Sequence, residues 1–159
     1  MQLVCNASPL IFLAKIDLIH VMPSLAENLQ IPIGVYHEIT GQNDVAAEWV
    51  EEYKNKYVIE IDTIPKIIEY WDLGKGESEV IAHAYSNKER IAALDDRAAR
   101  NCAASVGVNV IGTIGLILMA HKEGHIKKPV AYLEKLKKTG FRISDDLYKH
   151  AIHLAGSGF

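Results

Sequence analysis

The sequence predicts an α/β fold in which helices cover a central, mostly parallel sheet of four to five short strands. Short apolar runs of strand length alternate with longer segments whose apolar residues recur at helical spacing, an order typical of a parallel sheet. Apolar residues make up 49% and charged residues 23% of the 159 residues, which allows a well-packed core. Because the chain has neither internal repeats nor a linker-like segment, residues 1–159 are predicted to form a single domain.

The amino-terminal part is predicted to contain a strand followed by a buried helix. Residues 2–5 are an apolar run of strand type. Ser8 and Pro9 then form a typical helix start, with Ser8 as the N-cap and Pro9 at the first helical position. Residues 10–16 are almost entirely apolar, which favours a buried helix, and residues 18–26 continue as short helical pieces.

The rest of the chain is predicted to alternate between strands and helices. The strands are short apolar runs bounded by turn residues, at 29–31, 58–61, 91–94 and 108–111. The predicted helices are segments whose apolar residues lie three or four positions apart. One helix follows Pro32, and another starts at the turn 112–115. The others occupy residues 45–56, 65–71, 77–85, 98–105, 130–138 and 145–154.

The charge and the cysteines exclude several classes of protein. A net charge of −3 does not support a broad basic surface for nucleic acid, so any such contact has to be local. Cys5 and Cys102 have neither zinc-site nor disulfide spacing and are predicted to be free, buried thiols. His150 and His153 have helical spacing, but they have no accompanying ligand and do not form a known metal motif.

Targeting signals are not evident in the sequence. The longest apolar run, residues 114–120, is far shorter than the roughly 20 residues that span a bilayer. The apolar amino terminus lacks a basic leader, so we do not expect a signal peptide. A cytoplasmic protein without a membrane segment is therefore predicted.

Oxygen-bearing side chains gather where predicted strands end and helices begin. Asp95 and Asp96 directly follow the strand 91–94, and ligands bind at the carboxyl ends of strands in open α/β sheets. Mg²⁺ and Mn²⁺ prefer such oxygen ligands and use them to hold phosphates and activate water. The candidate ligands are Asn6, Glu38, Glu77, Glu79, Asp95 and Asp96.

Each of these residues also has an ordinary structural interpretation. Glu77 lies in a first helical turn, where a carboxylate stabilises the helix dipole, and Glu79 could simply face solvent. Glu38 suits a solvated helix face, and Asn6 suits a cap or turn. Thr113 could either cap the helix that follows it or contact a substrate.

A set of short motifs, in a fixed order, resembles the PIN-domain family. The motifs are Cys5-Asn6-Ala7-Ser8-Pro9-Leu10-Ile11, Gly76-Glu77, Leu94-Asp95-Asp96-Arg97-x-x-Arg100, Gly112-Thr113-x-Gly115 and the tail Gly140-Phe141-Arg142-Ile143-Ser144. Together they extend from about residue 2 to residue 156 and are similar to the VapC-like prokaryotic branch of the family. The resemblance implies a three-layer α/β/α fold with a Mg²⁺- or Mn²⁺-dependent endoribonuclease site.

The resemblance also implies roles for individual residues. Asn6 falls where the family usually has its first aspartate, and Glu38 falls at the second acidic position. Glu77 falls at the third acidic position, with Glu79 as a competing alignment. The fourth acidic position is Asp96, the residue after Asp95, and Ser8 matches a small hydroxyl residue that follows the first acid.

These residues combine into one predicted mechanism, the hydrolysis of RNA. Asn6, Glu77 and Asp96 would hold the metal, with Asp95 as a further or supporting ligand. Glu38 would bind the metal through water or orient the attacking water. The predicted substrate contacts are Ser8, Arg97, Arg100 and Thr113, and the two arginines would bind phosphate or pair with the carboxylates in the absence of metal.

The resemblance implies partners, and the residue at position 6 leaves an alternative function open. Many relatives are dimeric toxins of toxin–antitoxin pairs, so RNA, an antitoxin protein and a second copy are the expected partners. The Asn6 amide carries no charge and cannot act as a base, so a weakly active or inactive RNA- or partner-binding module is the alternative. A response-regulator receiver fits less well, because its acid pair follows the first strand, where this chain has Asn6.

Overall fold

A computed structural model describes residues 1–157, and in these residues five parallel strands form one sheet. The strands are β1 (Gln2–Cys5), β2 (Asn28–Pro32), β3 (Val58–Ile59), β4 (Arg90–Ala93) and β5 (Asn109–Ile111). Their order across the sheet is β3-β2-β1-β4-β5. The predicted α/β class and the central sheet of four to five parallel strands are thus confirmed.

Helices connect all the strands and pack on the sheet in a three-layer α/β/α arrangement. In chain order they are α1 (Ala7–Lys15), a 3-10 turn (Ile19–Val21), α2 (Met22–Leu25), α3 (Ile33–Thr40), α4 (Val45–Glu52), α5 (Lys54–Tyr57), α6 (Lys66–Glu69), α7 (Lys75–Tyr85), α8 (Arg97–Ser105), α9 (Thr113–Lys122), α10 (Pro129–Lys138) and α11 (Asp145–Gly156). The last three follow β5, so the part of the described chain after β5 contains helices and no strand.

The central strand β1 pairs with two neighbours, and this arrangement creates the crevice of the fold. Leu3 is in register with Leu29 of β2 on one side and with Ile91 of β4 on the other. The chain proceeds from β1 outward to β3, then returns to place β4 on the opposite side of β1. The loops after β1 and β4 therefore leave in different directions, and in such sheets the binding crevice lies between them.

The sheet is buried because helices cover it. Leu3, Val4 and Cys5 of β1 and the β4 residues Ala92 and Ala93 are fully buried. Strands with both faces covered have nearly continuous apolar runs, and this explains why the runs could be recognised in the sequence.

The start of the first helix differs from the prediction. Helix α1 begins at Ala7, with Asn6 rather than Ser8 at the N-cap position, so the predicted Ser8 cap is wrong. The Ser8 hydroxyl instead donates a hydrogen bond of 2.6 Å to the Asp95 carboxylate. Pro9 is tolerated in the first turn because the N–H groups there have no partner within the helix.

Other boundaries are shifted by a few residues. The predicted helix 45–56 is interrupted at Tyr53, whose φ of −101° and ψ of 12° separate α4 from α5. The strand predicted at 58–61 is only two residues long. Helix α7 begins at Lys75, two residues before the predicted start, and this places Glu77 inside its first turn.

The cysteines and the apolar helices can be compared with the sequence predictions. Cys5 and Cys102 are free and buried, as predicted.

Within residues 1–157, no single helix is both long and apolar enough to cross a bilayer. Helix α1 and the segment Ile19–Leu25 satisfy that criterion only when taken together, and they are bent by 119° relative to each other.

Candidate active site

The predicted site residues from β1 and β4 lie at neighbouring strand ends. The backbone N–H of Asn6, directly after β1, donates a hydrogen bond of 3.1 Å to the carbonyl of Ala93, the last residue of β4. Asp95 and Asp96 follow one residue later, beyond the buried Leu94. This is the point where the strand order reverses, the usual location of a binding crevice in this kind of sheet.

The side chain of Asn6 is buried and incompletely satisfied. Only 5% of Asn6 is exposed, and its Oδ1 atom is buried without a hydrogen-bond partner in the described part of the chain. Although its backbone occupies the N-cap position of α1, its side chain makes no capping hydrogen bond. Since buried polar atoms are nearly always paired, the lone Oδ1 atom marks a place where a ligand could bind.

Gly76 leaves an open space in front of this oxygen. A Cβ atom on Gly76 would lie 3.1 Å from Glu38 Oε2 and 3.4 Å from Asn6 Oδ1. Two oxygen atoms, one from α3 and one from the end of β1, therefore converge on a space that any larger residue would fill. The side chain of Glu38 is otherwise exposed.

Glu77, the next residue along α7, lies in a negative environment. Burial raises the pKa of its carboxyl group above the ordinary value of 4.5, and the Asp96 carboxylate raises it further. A hydrogen bond from the Gly74 backbone lowers the pKa, while Glu38 adds a smaller upward contribution. The pKa of Glu77 thus responds to the charges of Glu38 and Asp96, which places the three carboxylates in one electrostatic cluster.

Asp96 combines an exposed side chain with a helix-capping contact. It is the N-cap of α8, and its Oδ2 accepts a hydrogen bond of 3.0 Å from the Ala99 N–H. A carboxylate has two oxygen atoms and about four acceptor positions, so Asp96 retains most of its capacity for another ligand.

Asp95 has a different role from that of its neighbour. Its carboxylate accepts hydrogen bonds from Ser8 Oγ at 2.6 Å, from Thr113 Oγ1 at 2.7 Å and from Thr113 N at 2.8 Å. These contacts connect α1, the end of β4 and the start of α9. Ser8 and Thr113 were both predicted to contact substrate, but their hydroxyl groups donate hydrogen bonds to Asp95.

The two predicted phosphate-binding arginines also differ from each other. Arg97 is exposed at the first position of α8, whereas Arg100 is half-buried and donates from Nη1 to the carbonyl of Leu94 at 3.1 Å. Within residues 1–157, neither guanidinium forms an ion pair with a carboxylate. The predicted alternative, pairing with the carboxylates, is thus not seen.

Glu79, the competing candidate for the third acidic position, faces away from this cluster. It is 4% exposed, and its Oε2 accepts a hydrogen bond of 2.7 Å from the Gly34 N–H in the first turn of α3. Lys75 Nζ lies 4.0 Å from its other oxygen. Glu79 is engaged with α3, whereas Glu77 faces the space near Asp96.

An open cleft of about 550 Å³ brings most of these residues together and also contains residues that the sequence reasoning missed. Phe141 and Arg142 lie in the cleft, and the Phe141 ring packs edge-on against Phe12 with the ring centres 4.9 Å apart. The tail motif that contains them carried no predicted role. The remaining lining residues are Asn6, Ser8, Glu77, Asp95, Asp96, Arg97 and Gly140.

The protein groups alone do not form a closed metal cage. Among the described residues, no three side chains of His, Cys, Asp or Glu are close enough together to hold a metal ion. The donor set that converges on the cleft includes the Asn6 amide and carboxylates that stand apart from one another. Such a set resembles a Mg²⁺ or Mn²⁺ site, where water and substrate phosphate provide the remaining ligands.

Comparison with known families agrees with the architecture of the fold. Neither the comparison with curated proteins nor the comparison with solved structures gave a match. A family model described as a PIN domain matches residues 2–157, nearly the full length of the chain. With its five-stranded parallel sheet and this match over almost all of its residues, the chain belongs to the PIN-domain family.

Proposed function

We propose that this protein is a divalent-metal-dependent endoribonuclease whose active site is the acidic cleft. The proposal is carried by the lone Asn6 Oδ1, a buried oxygen without a partner that faces the same space as Glu38. Its family membership points to a nuclease-type fold. The finer assignments, including the metal ion, the RNA substrate and the individual roles below, are our inference.

The residues at the cleft fit a hard cation. Asn6 would provide a neutral carbonyl oxygen, and Glu77 and Asp96 would provide carboxylates; oxygen ligands of these two kinds are the ones that Mg²⁺ and Mn²⁺ prefer. Burial, followed by the Asp96 carboxylate, raises the pKa of Glu77, and a bound cation would favour its ionised form. When bound, a divalent cation lowers the pKa of water and stabilises charge on the phosphodiester.

The chain's own residues would orient water and substrate. Glu38 is exposed, and one of its oxygen atoms lies near the Asn6 oxygen at Gly76, so it can accept a hydrogen bond from water and hold it in line with a phosphate. Three hydrogen bonds hold the Asp95 carboxylate in one orientation. We therefore assign Asp95 to positioning Asp96 rather than to direct metal binding. Because the Ser8 and Thr113 hydroxyls bind Asp95, their contribution to substrate binding is indirect.

Phosphate binding is assigned to arginines without carboxylate partners. Arg97 is exposed on the cleft, and Arg142 reaches the same cleft from the tail segment. Guanidinium groups form bidentate hydrogen bonds with phosphate, and two of them beside an acidic centre suit a polyanionic substrate. This local pair is consistent with a chain whose net charge is −3.

The biological role we infer is that of the toxin of a toxin–antitoxin pair. We expect an antitoxin protein as a partner, a homodimer in solution and a cytoplasmic location. Trp49 and Tyr53, considered as interface residues, pack against each other with ring centres 5.0 Å apart and are only partly exposed. Trp71 is 39% exposed and remains a candidate for the interface.

One observation favours a second candidate function, that of an RNA- or partner-binding module with little or no activity. Asn6 replaces a charged ligand with a neutral one, and the described residues do not form a carboxylate triad ready for a metal. A module of this kind would bind RNA through the arginines without cleaving it.

Cleavage of a mixed RNA pool with Mn²⁺, Mg²⁺ or EDTA tests the proposal. Asp96→Asn is the decisive variant, because Asn is also a good N-cap and should preserve α8. The exposed loop variant Asp62→Asn is the matched control for loss of one carboxylate. We expect metal-dependent cleavage by wild type and Asp62→Asn, and a loss of at least about a hundredfold in Asp96→Asn, typical of catalytic-group removal. Binding without cleavage by wild type would instead support the binding module.

A further inference from the structure

A second cavity, of about 470 Å³, adjoins the acidic cleft. Asp95, Phe141 and Arg142 line both spaces, so the two are direct neighbours. The volume is within the range of roughly 300–1,000 Å³ that is usual for small-ligand pockets. We call it the α9–α11 cavity, after the two helices that supply half of its lining residues.

The walls of the α9–α11 cavity are apolar on two sides. Apolar side chains from the end of β5, from α9 and from α11 face each other across it; they are Val110, Ile111, Ile114, Leu118, Leu147 and Leu154. Leu147 is 49% exposed, although a leucine of this kind is usually buried. The cavity therefore presents apolar surface to any ligand that reaches it from the cleft.

Cationic groups accompany these apolar walls. Arg100, Arg142 and His150 line the same cavity together with one carboxylate, that of Asp95, and Arg142 lies at its junction with the cleft. In the part of the chain that the structure describes, no carboxylate lies within 4.0 Å of either guanidinium. An occupant is thus expected to combine an apolar part with negative charge.

We propose that the α9–α11 cavity binds one nucleobase of a single-stranded RNA whose backbone crosses the acidic cleft, an inference that rests on the proposed function. The base lies against the apolar walls, while Arg142 and Arg100 contact the phosphates on either side of it. Only an unpaired nucleotide can turn its base into such a cavity, so the substrate class is single-stranded RNA.

RNA is favoured over a protein segment by the position and charge of the cavity. An apolar peptide would leave the two guanidinium groups without anionic partners, whereas each nucleotide brings a phosphate for them. The cavity also continues into the cleft where the scissile phosphate is assigned, and consecutive nucleotides of one strand can occupy both.

The test compares intact RNA with RNA that lacks bases. Binding of a fluorescein-labelled single-stranded RNA of mixed sequence, and of its abasic counterpart, is measured in EDTA by fluorescence anisotropy, so that cleavage does not interfere. Leu118→Trp fills the cavity, and Leu147→Ala removes part of a wall at a half-exposed position that tolerates truncation. Val45→Ala, at a residue that is 58% exposed on α4, is the matched control for loss of exposed apolar surface.

We expect wild type and Val45→Ala to bind intact RNA about fivefold or more tightly than abasic RNA, the effect of a single base contact. In Leu118→Trp this preference should disappear, and in Leu147→Ala it should decrease. If Leu118→Trp does not fold, Leu147→Ala decides the result alone.

The proposal would be overturned if all four proteins preferred intact over abasic RNA to the same extent. It would also be overturned if wild type bound intact and abasic RNA equally well. A change in oligomeric state in Leu118→Trp with unchanged RNA binding would assign the cavity to a protein contact and overturn it as well. The cleavage assay with Mn²⁺ is scored separately. Cleavage by wild type with no effect of the cavity variants on binding would reject the base-binding cavity and leave the proposed function in place.

Discussion

The Glu79 carboxylate accepts a hydrogen bond of 2.7 Å from the backbone N–H of Gly34, and this contact joins the two helices that carry Glu77 and Glu38. Gly34 lies in the first turn of α3, four residues before Glu38, and Glu79 lies in α7 two residues after Glu77. The approach is so close that a Cβ atom on Gly34 would lie 2.6 Å from Glu79 Oε2. The contact therefore fixes the spacing between α3, which carries Glu38, and α7, which carries Glu77.

Glu79→Ala is expected to destabilise the protein by about 1–3 kcal/mol, because it leaves a buried N–H without an acceptor. It should also weaken Mn²⁺ binding, since α3 and α7 lose their fixed spacing. Glu79→Gln retains a carbonyl oxygen for Gly34 and should recover most of both losses. Denaturant unfolding and Mn²⁺ titration measure the two effects.

The exposed residue Glu134 on α10 provides the control variant Glu134→Ala. If Glu79→Ala lost stability but bound Mn²⁺ as tightly as wild type, Glu79 would be a purely structural residue. An unchanged stability in Glu79→Ala would contradict the importance of the contact itself.

Asn6→Asp is expected to raise Mn²⁺ affinity by about tenfold or more, equivalent to 1.4 kcal/mol. A full negative charge would replace a neutral oxygen that is only 5% exposed, so the gain on metal binding is large. In EDTA the same change should lower the free energy of unfolding, since the new carboxylate is buried near Glu38 and has no hydrogen-bond donor at Oδ1.

Isothermal titration with Mn²⁺ and urea unfolding in EDTA measure these opposite effects, and the RNA cleavage rate should rise with the affinity. Asn101→Asp, at an exposed position on α8, controls for one additional charge. Unchanged Mn²⁺ affinity in Asn6→Asp would remove position 6 from the metal site.

Glu77→Gln is expected to make the metal-free protein more stable at neutral pH. Burial, followed by the Asp96 carboxylate, raises the pKa of Glu77 above its ordinary value of 4.5, so the folded state disfavours the ionised form. Wild type should therefore lose stability relative to Glu77→Gln as the pH rises from 4.5 through the folded-state pKa. The difference is modest because the side chain is only partly buried.

Urea unfolding in EDTA on both sides of this pH range checks the sign. Adding Mn²⁺ should reverse the order at neutral pH, because only wild type keeps the carboxylate ligand. A Gln variant that was less stable than wild type in EDTA at neutral pH would contradict the inferred charge repulsion.

Thr113→Val is expected to cost about 1.5–3 kcal/mol, the usual contribution of a hydrogen bond to a charged group. Thr113 is fully buried, and its hydroxyl group donates to Asp95 at 2.7 Å, so valine preserves the shape but removes the donor. Thr113→Ser keeps the hydroxyl group and serves as the matched variant. Thermal unfolding measures stability, and the cleavage assay measures activity.

If Asp95 positions Asp96, Thr113→Val should lower the maximal cleavage rate more than it raises the RNA concentration needed for half-maximal rate. A variant with a weaker RNA interaction but an unchanged maximal rate would instead favour direct substrate contact by Thr113.

Much of the fold could be predicted because it depends on local signals. The fully covered sheet produces continuous apolar strands, and the residues that follow β1 and β4 lie at its binding edge by topology alone. Local signals could not determine whether Glu77 or Glu79 occupies the third acidic position of the site. Residues two positions apart on a helix are rotated by about 200° about its axis, so the side chains of Glu77 and Glu79 face nearly opposite directions. Only the packing of α3 against α7 determines which of the two faces the cleft.

The errors have a common cause, which is the preference of a side chain for a distant partner. Ser8 was predicted to cap its own helix, but it donates to Asp95, 87 residues away in the sequence. Phe141 and Arg142 are similarly far in sequence from Asn6 and Asp96, and their place in the cleft depends on how α10 and α11 pack on α9. No local pattern contains this information.

Gly76→Ala is expected to weaken Mn²⁺ binding and lower the cleavage rate by about tenfold or more, equivalent to 1.4 kcal/mol. Its Cβ atom would lie 3.1 Å from both Glu38 Oε2 and Val35 Cγ2, so it would occupy the space where the Glu38 and Asn6 oxygens converge. Stability should change by no more than about 1 kcal/mol, because alanine favours the helix while the contacts are tight. Gly156→Ala, at the end of α11 where a Cβ atom meets nothing within 4 Å, is the matched control and should cleave RNA like wild type. Wild-type cleavage by a folded Gly76→Ala variant would show that Glu38 and Asn6 do not bind a common cation.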